Sequence, residues 1–311
     1  TPLRDARLLH LNTALATELG LAVDALQAPP LVAALAGSRP LAGATPVATV
    51  YAGHQFGVFV PQLGDGRAIL LGQLQRGSAL WDLQLKGAGP TPYSRFADGR
   101  AVIRSSVREY LAGEALHGLG IPSTRCLSLV VSDEPVRRET VERAAVICRV
   151  APTHLRFGHF EYFYYRDQHE RLGPLADYVI AHHFPELAQA GDRYARWLAE
   201  VITRSAQLVA QWQAVGFCHG VLNTDNMSII GLTLDFGPYG FLDGFDANHI
   251  CNHSDDGGRY AYSRQPEIVA WNCSRLLQAC LPLLDPDPNR AVEIAQALLD
   301  RFGTIYSETV T

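Results

Sequence analysis

A change in residue pattern near 151–158 restricts the fold of this 311-residue chain more than any other feature. Before the change, short apolar runs separated by turn residues predict β-strands, among them a hairpin whose polar turn spans 75–78. One long helix is predicted in this part, over 101–119, because glycines flank its end. After the change, apolar residues recur at helical spacing. The sequence therefore predicts an α+β chain, with a β-rich part over 1–155 and an α-helical part over 156–311.

Local spacing predicts several further elements. Residues 1–36 are rich in Leu and Ala at helical spacing, and "SIIGLTLDFG" (228–237) has the pattern of a short β-hairpin. Two apolar runs, "TRCLSLVVS" and "AAVICRVAP", predict strands. Helices of the second part are predicted over 172–184, 192–215 and 266–302.

Composition narrows the functional class. A net charge of −5 argues against binding to nucleic acid or acidic membranes, and no apolar run reaches the ~20 residues of a membrane span. The six cysteines form no CxxC pair, which favours reduced thiols, and no basic and apolar leader marks a signal peptide. We therefore expect a cytoplasmic protein that binds neither nucleic acid nor membranes. We also expect a monomer. Because the chain does not begin with Met, we also expect a fragment or a trimmed chain.

The segment "HGVLNTDNMSIIGLTLDFG" carries the strongest chemical signal. Asn226 follows His219 by seven residues, and Asp235 begins an Asp-Phe-Gly turn. Protein kinases use an Asn and an Asp at these positions to hold Mg²⁺ against nucleotide phosphates. Oxygen ligands of this kind suit hard cations. The segment therefore predicts a Mg²⁺ or Mn²⁺ site at Asn226 and Asp235, although a turn that spells Asp-Phe-Gly by chance is an alternative.

The same segment lacks the residue that serves as the base in kinases. A kinase has Asp two residues after the His, whereas this chain has Val221, which cannot accept a proton. Asp225 is the remaining carboxylate between His219 and Asp235, and it could accept the proton of an attacking hydroxyl. The alternative is a loop carboxylate that caps a turn.

Lys86 and Glu109 form a second candidate pair. Lys86 ends a predicted strand and Glu109 lies on the predicted helix that follows, as in the Lys–Glu ion pair of kinases. Glu114, on the same helix, is a rival partner for the lysine. A surface lysine and a solvated helix face remain the alternative.

Two arginines near the change of pattern are candidate phosphate ligands. Arg149 lies within the apolar run "VICRVAP", where burial of a guanidinium is costly unless an anion meets it, and Arg156 follows in "THLRFG". Arginine binds phosphate in a bidentate manner. A structural salt bridge is the alternative.

Two glycine-containing turns are more ambiguous. "QLGDGRA" (62–68) occupies the place of a kinase glycine-rich loop, where glycines allow close approach of the backbone to a ligand. The second turn is "FADGR" (96–100). Tight hairpin turns explain both equally well. A zinc site at His249, Cys251 and His253 is not expected, since these residues lack a partner cluster.

Together these segments resemble the selenoprotein O family of protein adenylyltransferases over nearly the whole chain. The resemblance is most specific in "YAGHQFG", "LQLKGAGPTPYSRFADGRAVIRSSVREYLAGEAL", "FGHFEYF", "HGVLNTDNMSI" and "DFGPYGFLD". It implies a bilobal protein-kinase-like fold that binds ATP in a flipped orientation. It also implies transfer of AMP to Ser, Thr or Tyr hydroxyls of proteins, redox proteins among them, with release of pyrophosphate.

The resemblance also assigns roles to individual residues. Asp225 would be the proton acceptor, Asn226 and Asp235 the metal ligands, and Lys86, anchored by Glu109, a phosphate ligand. The remaining implied nucleotide contacts are phosphate binding by Arg149 and Arg156 and a pocket lined by Gly64, Gly66, Arg67, Asp98 and Gly99.

Two points stay open at the level of sequence. Members of the family are usually longer and carry a Cys or selenocysteine in a C-terminal segment, so we expect the second part to be truncated here, with Cys251 as a candidate partner thiol. Transfer of UMP from UTP differs only in base selection, which the sequence does not show. Two further classes of protein, a phosphotransferase and a nucleotide-binding scaffold, also stay open.

Overall fold

The computed structural model describes residues 2–310, and the chain divides into two compact units. The first unit comprises Thr1–Val50 and Leu63–His154, and the second comprises Tyr51–Gln62 and Leu155–Thr311. The sequence placed the boundary between residues 155 and 156, and this division into domains stays a prediction. The short segment Tyr51–Gln62, which the sequence placed in the first part, belongs with the second unit.

Strands and helices are numbered in chain order. The strands are β1 (Arg7–Leu11), β2 (Gly53–Gln55), β3 (Val58–Val60), β4 (Ala68–Arg76), β5 (Ala79–Lys86), β6 (Ala101–Val102), β7 (Arg125–Arg137), β8 (Val141–Ala151), β9 (Phe217–Cys218) and β10 (Gly240–Phe241). The helices are α1 (Thr13–Glu18), α2 (Val23–Gln27), α3 (Pro29–Leu35), α4 (Ile103–Gly118), α5 (Phe157–Tyr164), α6 (Leu172–His183), α7 (Arg193–Ala214), α8 (Gln265–Leu284), α9 (Pro288–Leu299) and α10 (Arg301–Val310). The coarse prediction of a β-rich part followed by a helical part is confirmed.

An antiparallel sheet of order β1-β7-β8-β5-β4 forms the centre of the first unit, and β6 pairs with β8. Along β5 and β8, Gln84 lies opposite Arg149 and Lys86 lies opposite Ile147. Directly opposed residues, and residues two apart on one strand, project to the same face of a sheet. The pairing therefore directs Lys86, Gln84 and Arg149 to one face.

Both faces of the central strands are covered, which explains their unbroken apolar runs. Val146 packs in a cluster with Leu15 of α1 and Leu35 of α3, whereas the next residue, Ile147, packs on the opposite face against Val107 of α4. Helix α4 therefore covers the face that carries Lys86 and Arg149.

The first 36 residues differ from the predicted helical pattern. The structure has three short helices in this region, but they follow a strand, β1, which pairs with the central strand β7. This strand depends on a partner more than 100 residues away in sequence, so local spacing did not indicate it.

The second unit is mainly helical. Its longest helix, α7, buries Trp197, Val201 and Leu208 on one side and packs against α8 and α10. Helix α9 begins after Asp287, whose carboxylate accepts a hydrogen bond from the Asn289 N–H. Within residues 2–310, no helix has both the length and the apolar composition needed to cross a membrane.

The predicted hairpin over 228–237 is wrong. Ser228 pairs with Arg156 in a single bridge, and the Ile229 N–H donates to the Leu155 carbonyl over 3.1 Å. The Phe157 N–H likewise donates to the Met227 carbonyl over 3.0 Å. The segment thus pairs with the chain that leads into α5 instead of with itself.

Candidate active site

The His219 side chain forms hydrogen bonds to both parts of the segment that carries the predicted site. Its imidazole is buried, its Nε2–H donates to the Leu234 carbonyl over 2.9 Å, and its Nδ1 accepts from the Val221 N–H over 3.4 Å. Burial lowers the pKa of His219, so the ring is neutral at physiological pH. His219 therefore fixes the residue before Asp235 relative to the loop that contains Asp225.

Asp225 is a buried carboxylate whose two oxygens have different surroundings. It lies in the 3₁₀ helix Thr224–Asn226, and its Oδ2 accepts a hydrogen bond from the Gln55 amide over 3.1 Å. Its Oδ1 is also buried but has no hydrogen-bond partner among the described residues. Burial raises the pKa of Asp225 to about 7, against the opposing effects of the Gln55 hydrogen bond and the charge of Arg156. Buried polar atoms without a partner are rare in proteins and require an explanation.

Asp235 lies close to this loop and has an uncommon backbone conformation. Its φ is +62°, in the left-handed region that non-glycine residues seldom occupy, and its carboxylate is paired with Arg156. The same nitrogen of Arg156 donates to the backbone carbonyl of Asp225 over 2.9 Å, and the guanidinium lies 5.2 Å from the centre of the Tyr51 ring. The salt-bridge alternative for Arg156 is thus present in the structure, and phosphate binding by this residue stays a prediction.

Asn226 presents an oxygen suited to a cation. Its amide nitrogen donates to the Val221 carbonyl over 3.0 Å, which leaves the amide oxygen for a ligand. Residues 2–310 contain no cluster of three or more His, Cys, Asp or Glu side chains suited to a metal ion. The expected pair of Asn226 and Asp235 is smaller than such a cluster, but its donor atoms are the oxygens that Mg²⁺ and Mn²⁺ prefer. These two residues therefore fit the predicted ion by donor chemistry.

The segment "YAGHQFG" contributes residues to this site that the sequence did not identify. Gln55 donates to Asp225, and Gly53 lies so close that a Cβ atom there would be 2.7 Å from Asp225 Oδ1. The side chain of His54 contacts both oxygens of Glu161 at 3.3 Å. In the sequence, this segment stood out only as one of those that carry the family resemblance. None of its residues had an assigned role.

Substitution of Gly53 by alanine tests this close contact. We expect Gly53→Ala to displace the Asp225 carboxylate and to lower the free energy of unfolding by about 1–3 kcal/mol, because the added methyl group overpacks a buried site. Gly191→Ala is the matched control, since a Cβ atom there meets nothing within 4 Å. Urea denaturation of both variants provides the measurement, and equal midpoints for the two would contradict the contact.

In the first unit, Lys86 and Arg149 share one buried carboxylate. The Lys86 ammonium lies 2.5 Å from Glu109 Oε2, while Arg149 pairs with Oε1 of the same group and donates to Gln84 Oε1 over 3.1 Å. Burial by itself raises the pKa of Glu109, but the charges of Arg149 and Lys86 outweigh it, so the pKa lies below its ordinary value. We call Lys86, Glu109, Arg149 and Gln84 the sheet cluster. Gln84 was not predicted, although it lies two residues before Lys86 on the same strand.

The rival partner of the lysine is engaged elsewhere. Glu114 pairs with Arg125, whose guanidinium donates to its two carboxylate oxygens over 2.9 and 2.7 Å. Glu109 is therefore the partner of Lys86 in this structure. Glu109 is also the anion that pairs with Arg149, so this arginine forms the structural salt bridge that was the alternative to phosphate binding. Phosphate binding by Arg149 remains a prediction.

The first glycine-containing turn is fixed by its own packing. A Cβ atom on Gly64 would lie 2.9 Å from the Thr49 carbonyl, and one on Gly66 would lie 2.9 Å from the Tyr93 carbonyl. Arg67 is exposed. The tight-turn alternative explains both glycines, and contact with a nucleotide stays a prediction.

The second turn is also structurally engaged. Gly99 has a φ of +65°, and a Cβ atom there would lie 2.2 Å from the Gly89 backbone. The carboxylate of Asp98 accepts from Arg138 over 2.8 Å and from the Arg100 N–H over 2.9 Å. The Arg138 hydrogen bond lowers the pKa of Asp98. A nucleotide role for Asp98 and Gly99 is likewise only predicted.

Comparison with known proteins identifies the family of the chain. A family model described as protein adenylyltransferase SelO matches residues 1–310. A protein nucleotidyltransferase YdiU of Methylococcus capsulatus is 59% identical over all of this chain and 61% of its own length. Proteins of the same name from Myxococcus xanthus and Cronobacter sakazakii are 58% and 56% identical over 94% and 97% of the chain, and over 60% and 64% of their own lengths. The chain thus spans about three fifths of the length of these curated relatives. It belongs to the SelO family of protein adenylyltransferases.

Proposed function

We propose that this chain contains the catalytic part of a protein adenylyltransferase with a bilobal protein-kinase-like fold. The enzyme transfers AMP from ATP to Ser, Thr or Tyr hydroxyls of proteins and releases pyrophosphate. The observation that carries the proposal is the state of Asp225, a buried carboxylate with one oxygen held by Gln55 and the other without a partner among the described residues. A carboxylate that the fold does not fully engage in hydrogen bonds is suited to accept a proton from a hydroxyl. The family match and the names of the relatives support the same reaction.

Asp225 acts in this proposal as the general base. Its carboxylate takes the proton of the protein hydroxyl, and the hydroxyl oxygen forms a bond to the α-phosphorus. The bond from that phosphorus to the bridging oxygen breaks, and pyrophosphate leaves with the bonding electron pair. Val221 takes no part, which agrees with a reacting phosphorus placed differently from that of a kinase.

Asn226 and Asp235 would hold Mg²⁺ or Mn²⁺ through their oxygens. The ion supplies positive charge that stabilises the phosphate oxygens during transfer. The protein itself orients these ligands, because Asn226 is tied to the Val221 carbonyl and Asp235 follows the residue held by His219.

Fixed cations would bind the phosphates of ATP in a flipped orientation. Lys86, oriented by Glu109, and the arginines Arg149 and Arg156 supply them, and they stabilise the charge that develops on pyrophosphate. Arg156 is paired with Asp235 here, so a phosphate would compete with that carboxylate. The other proposed nucleotide contacts are Gly64, Gly66, Arg67, Asp98 and Gly99.

We expect the enzyme to act in the cytoplasm, as a monomer, on hydroxyl-bearing proteins that include redox proteins. It would act without nucleic acid or membranes.

Labelling of individual phosphates of ATP tests which reaction the chain catalyses. The chain is incubated with a bacterial lysate and Mg²⁺ or Mn²⁺, with ATP labelled in parallel on the α- or the γ-phosphate, and with α-labelled UTP. We expect label in protein from α-labelled ATP only, and its loss in Asp235→Ala. The homologue from Methylococcus capsulatus, assayed in parallel, provides a full-length comparison. Label from the γ position alone would instead establish a kinase, and label from UTP alone a uridylyltransferase.

A further inference from the structure

The two oxygens of Asp225 are distinguished by one side chain. Gln55, at the end of β2, donates its amide to Oδ2 over 3.1 Å, while Oδ1 has no hydrogen-bond partner among the described residues. Because a carboxylate can turn about its last torsion, either oxygen could face a substrate in the absence of such a bond. The Gln55 amide removes this freedom.

The backbone on which Gln55 sits is held on both sides. The His54 N–H donates to Thr224 Oγ1 over 2.7 Å, and that hydroxyl donates to Glu161 over 2.9 Å. On the other side, the Phe56 N–H donates to the Tyr260 hydroxyl over 2.8 Å. These bonds connect the residues flanking Gln55 to the residue before Asp225 and to a loop of the same unit. Gln55 therefore approaches the base from a fixed position.

The chemistry of Gln55 suits positioning. Its amide donates a hydrogen bond but takes up no proton at physiological pH, so it does not compete with the substrate hydroxyl for Asp225. Gly53, two residues earlier, allows the backbone to pack closely against the carboxylate, since a Cβ atom there would be 2.7 Å from Oδ1. Residues 53–55 thus hold one oxygen by a hydrogen bond and pack against the other.

We propose that Gln55 is a positioning residue that fixes the orientation of the Asp225 carboxylate for proton transfer. This inference rests on the proposed function, because it assigns Asp225 as the base. Misplacement of a reacting group by about 1 Å can lower a rate about 100-fold, so loss of this hydrogen bond is expected to act on turnover.

Replacement of the donor with an isosteric apolar side chain tests the role. Gln55→Met is compared with Gln73→Met in the 311-residue chain. Gln73 is the matched control because its amide also donates to an aspartate, Asp82, over 2.9 Å in the first unit. AMP transfer from α-labelled ATP gives kcat and KM, a fluorescent ATP analogue gives the dissociation constant, and thermal unfolding gives Tm.

For Gln55→Met we expect kcat to fall about 10- to 100-fold, with KM for ATP, nucleotide affinity and Tm close to those of the wild type. Gln73→Met should match the wild type in kcat. If Gln55→Met keeps wild-type kcat, or loses activity only in parallel with Tm and nucleotide affinity, the inference is wrong and the proposed function stands. A wild-type chain that transfers no α label, while the homologue does, overturns the proposed function and the inference with it.

Discussion

Asp225→Asn is expected to lower kcat for AMP transfer on the order of 10²- to 10⁴-fold, which is the range attributed to a positioned general base. The substitution keeps the size of the side chain and removes its ability to accept a proton. The carboxylate is buried, and Oδ1 has no hydrogen-bond partner among the described residues, so the fold does not use this atom to satisfy another group. The dissociation constant of ATP should therefore change little, and the loss should appear in kcat.

The measurement combines single-turnover AMP transfer with direct nucleotide binding. Asp192→Asn is the control, because Asp192 is exposed and forms a surface ion pair with Arg196 at 2.7 Å. It should retain wild-type kcat, since exposed ion pairs contribute little to the stability of the fold. An Asp225→Asn variant with near wild-type kcat would show that another group accepts the proton. Loss of ATP binding together with kcat would instead assign Asp225 to the nucleotide site.

The sequence predicted those features that depend on local pattern. The hairpin β4–β5, the strands β7 and β8 and the helix α4 follow from apolar runs and glycine stops, and the structure has all of them. The contact between Lys86 and Glu109 was predicted together with a rival, and the structure decides between the two because Glu114 is paired with Arg125. Local spacing placed both acids on one helix, but only the packing of the helix on the sheet determines which one is buried.

Contacts between distant segments were beyond this kind of prediction. Gln55 and Asp225 are 170 positions apart, and no local signal relates them. The same holds for His54 and Glu161, and for β1, which becomes a strand only by pairing with β7. The failed hairpin over 228–237 has the same cause, since its backbone hydrogen bonds go to the chain before α5. Motifs thus indicated the candidate residues for the chemistry, and tertiary pairing determines what holds them.

The second large effect is expected for a substitution in the sheet cluster. Glu109→Gln should lower the free energy of unfolding by about 3–5 kcal/mol, the range found when one partner of a buried ion pair is removed. Glu109 is 2% exposed, and the substitution leaves Lys86 and Arg149 next to each other without its charge. Gln can still accept one hydrogen bond, but it cannot neutralise either cation.

Glu114→Gln, on the same helix, is the matched control. Its carboxylate is partly exposed and its partner Arg125 also pairs with Glu18, so we expect a smaller loss, on the order of 1 kcal/mol. Urea denaturation followed by circular dichroism measures both variants. Equal losses would mean that the sheet cluster contributes no more than a surface pair. KM for ATP should rise in Glu109→Gln alone, because Lys86 loses the group that orients it.

The pH dependence of this difference follows from the direction of the Glu109 shift. Its pKa in the folded state lies below the ordinary value, because the charges of Arg149 and Lys86 outweigh the effect of burial. A carboxyl group of this kind stabilises the fold fully above its unfolded-state pKa and loses this contribution as the pH falls towards its folded-state pKa. The difference in unfolding free energy between the wild type and Glu109→Gln should therefore be largest at neutral pH and shrink in acid. A difference that grows in acid would mean that the carboxyl group is protonated in the folded protein, and Lys86 would then lack the anionic partner on which its proposed phosphate role depends.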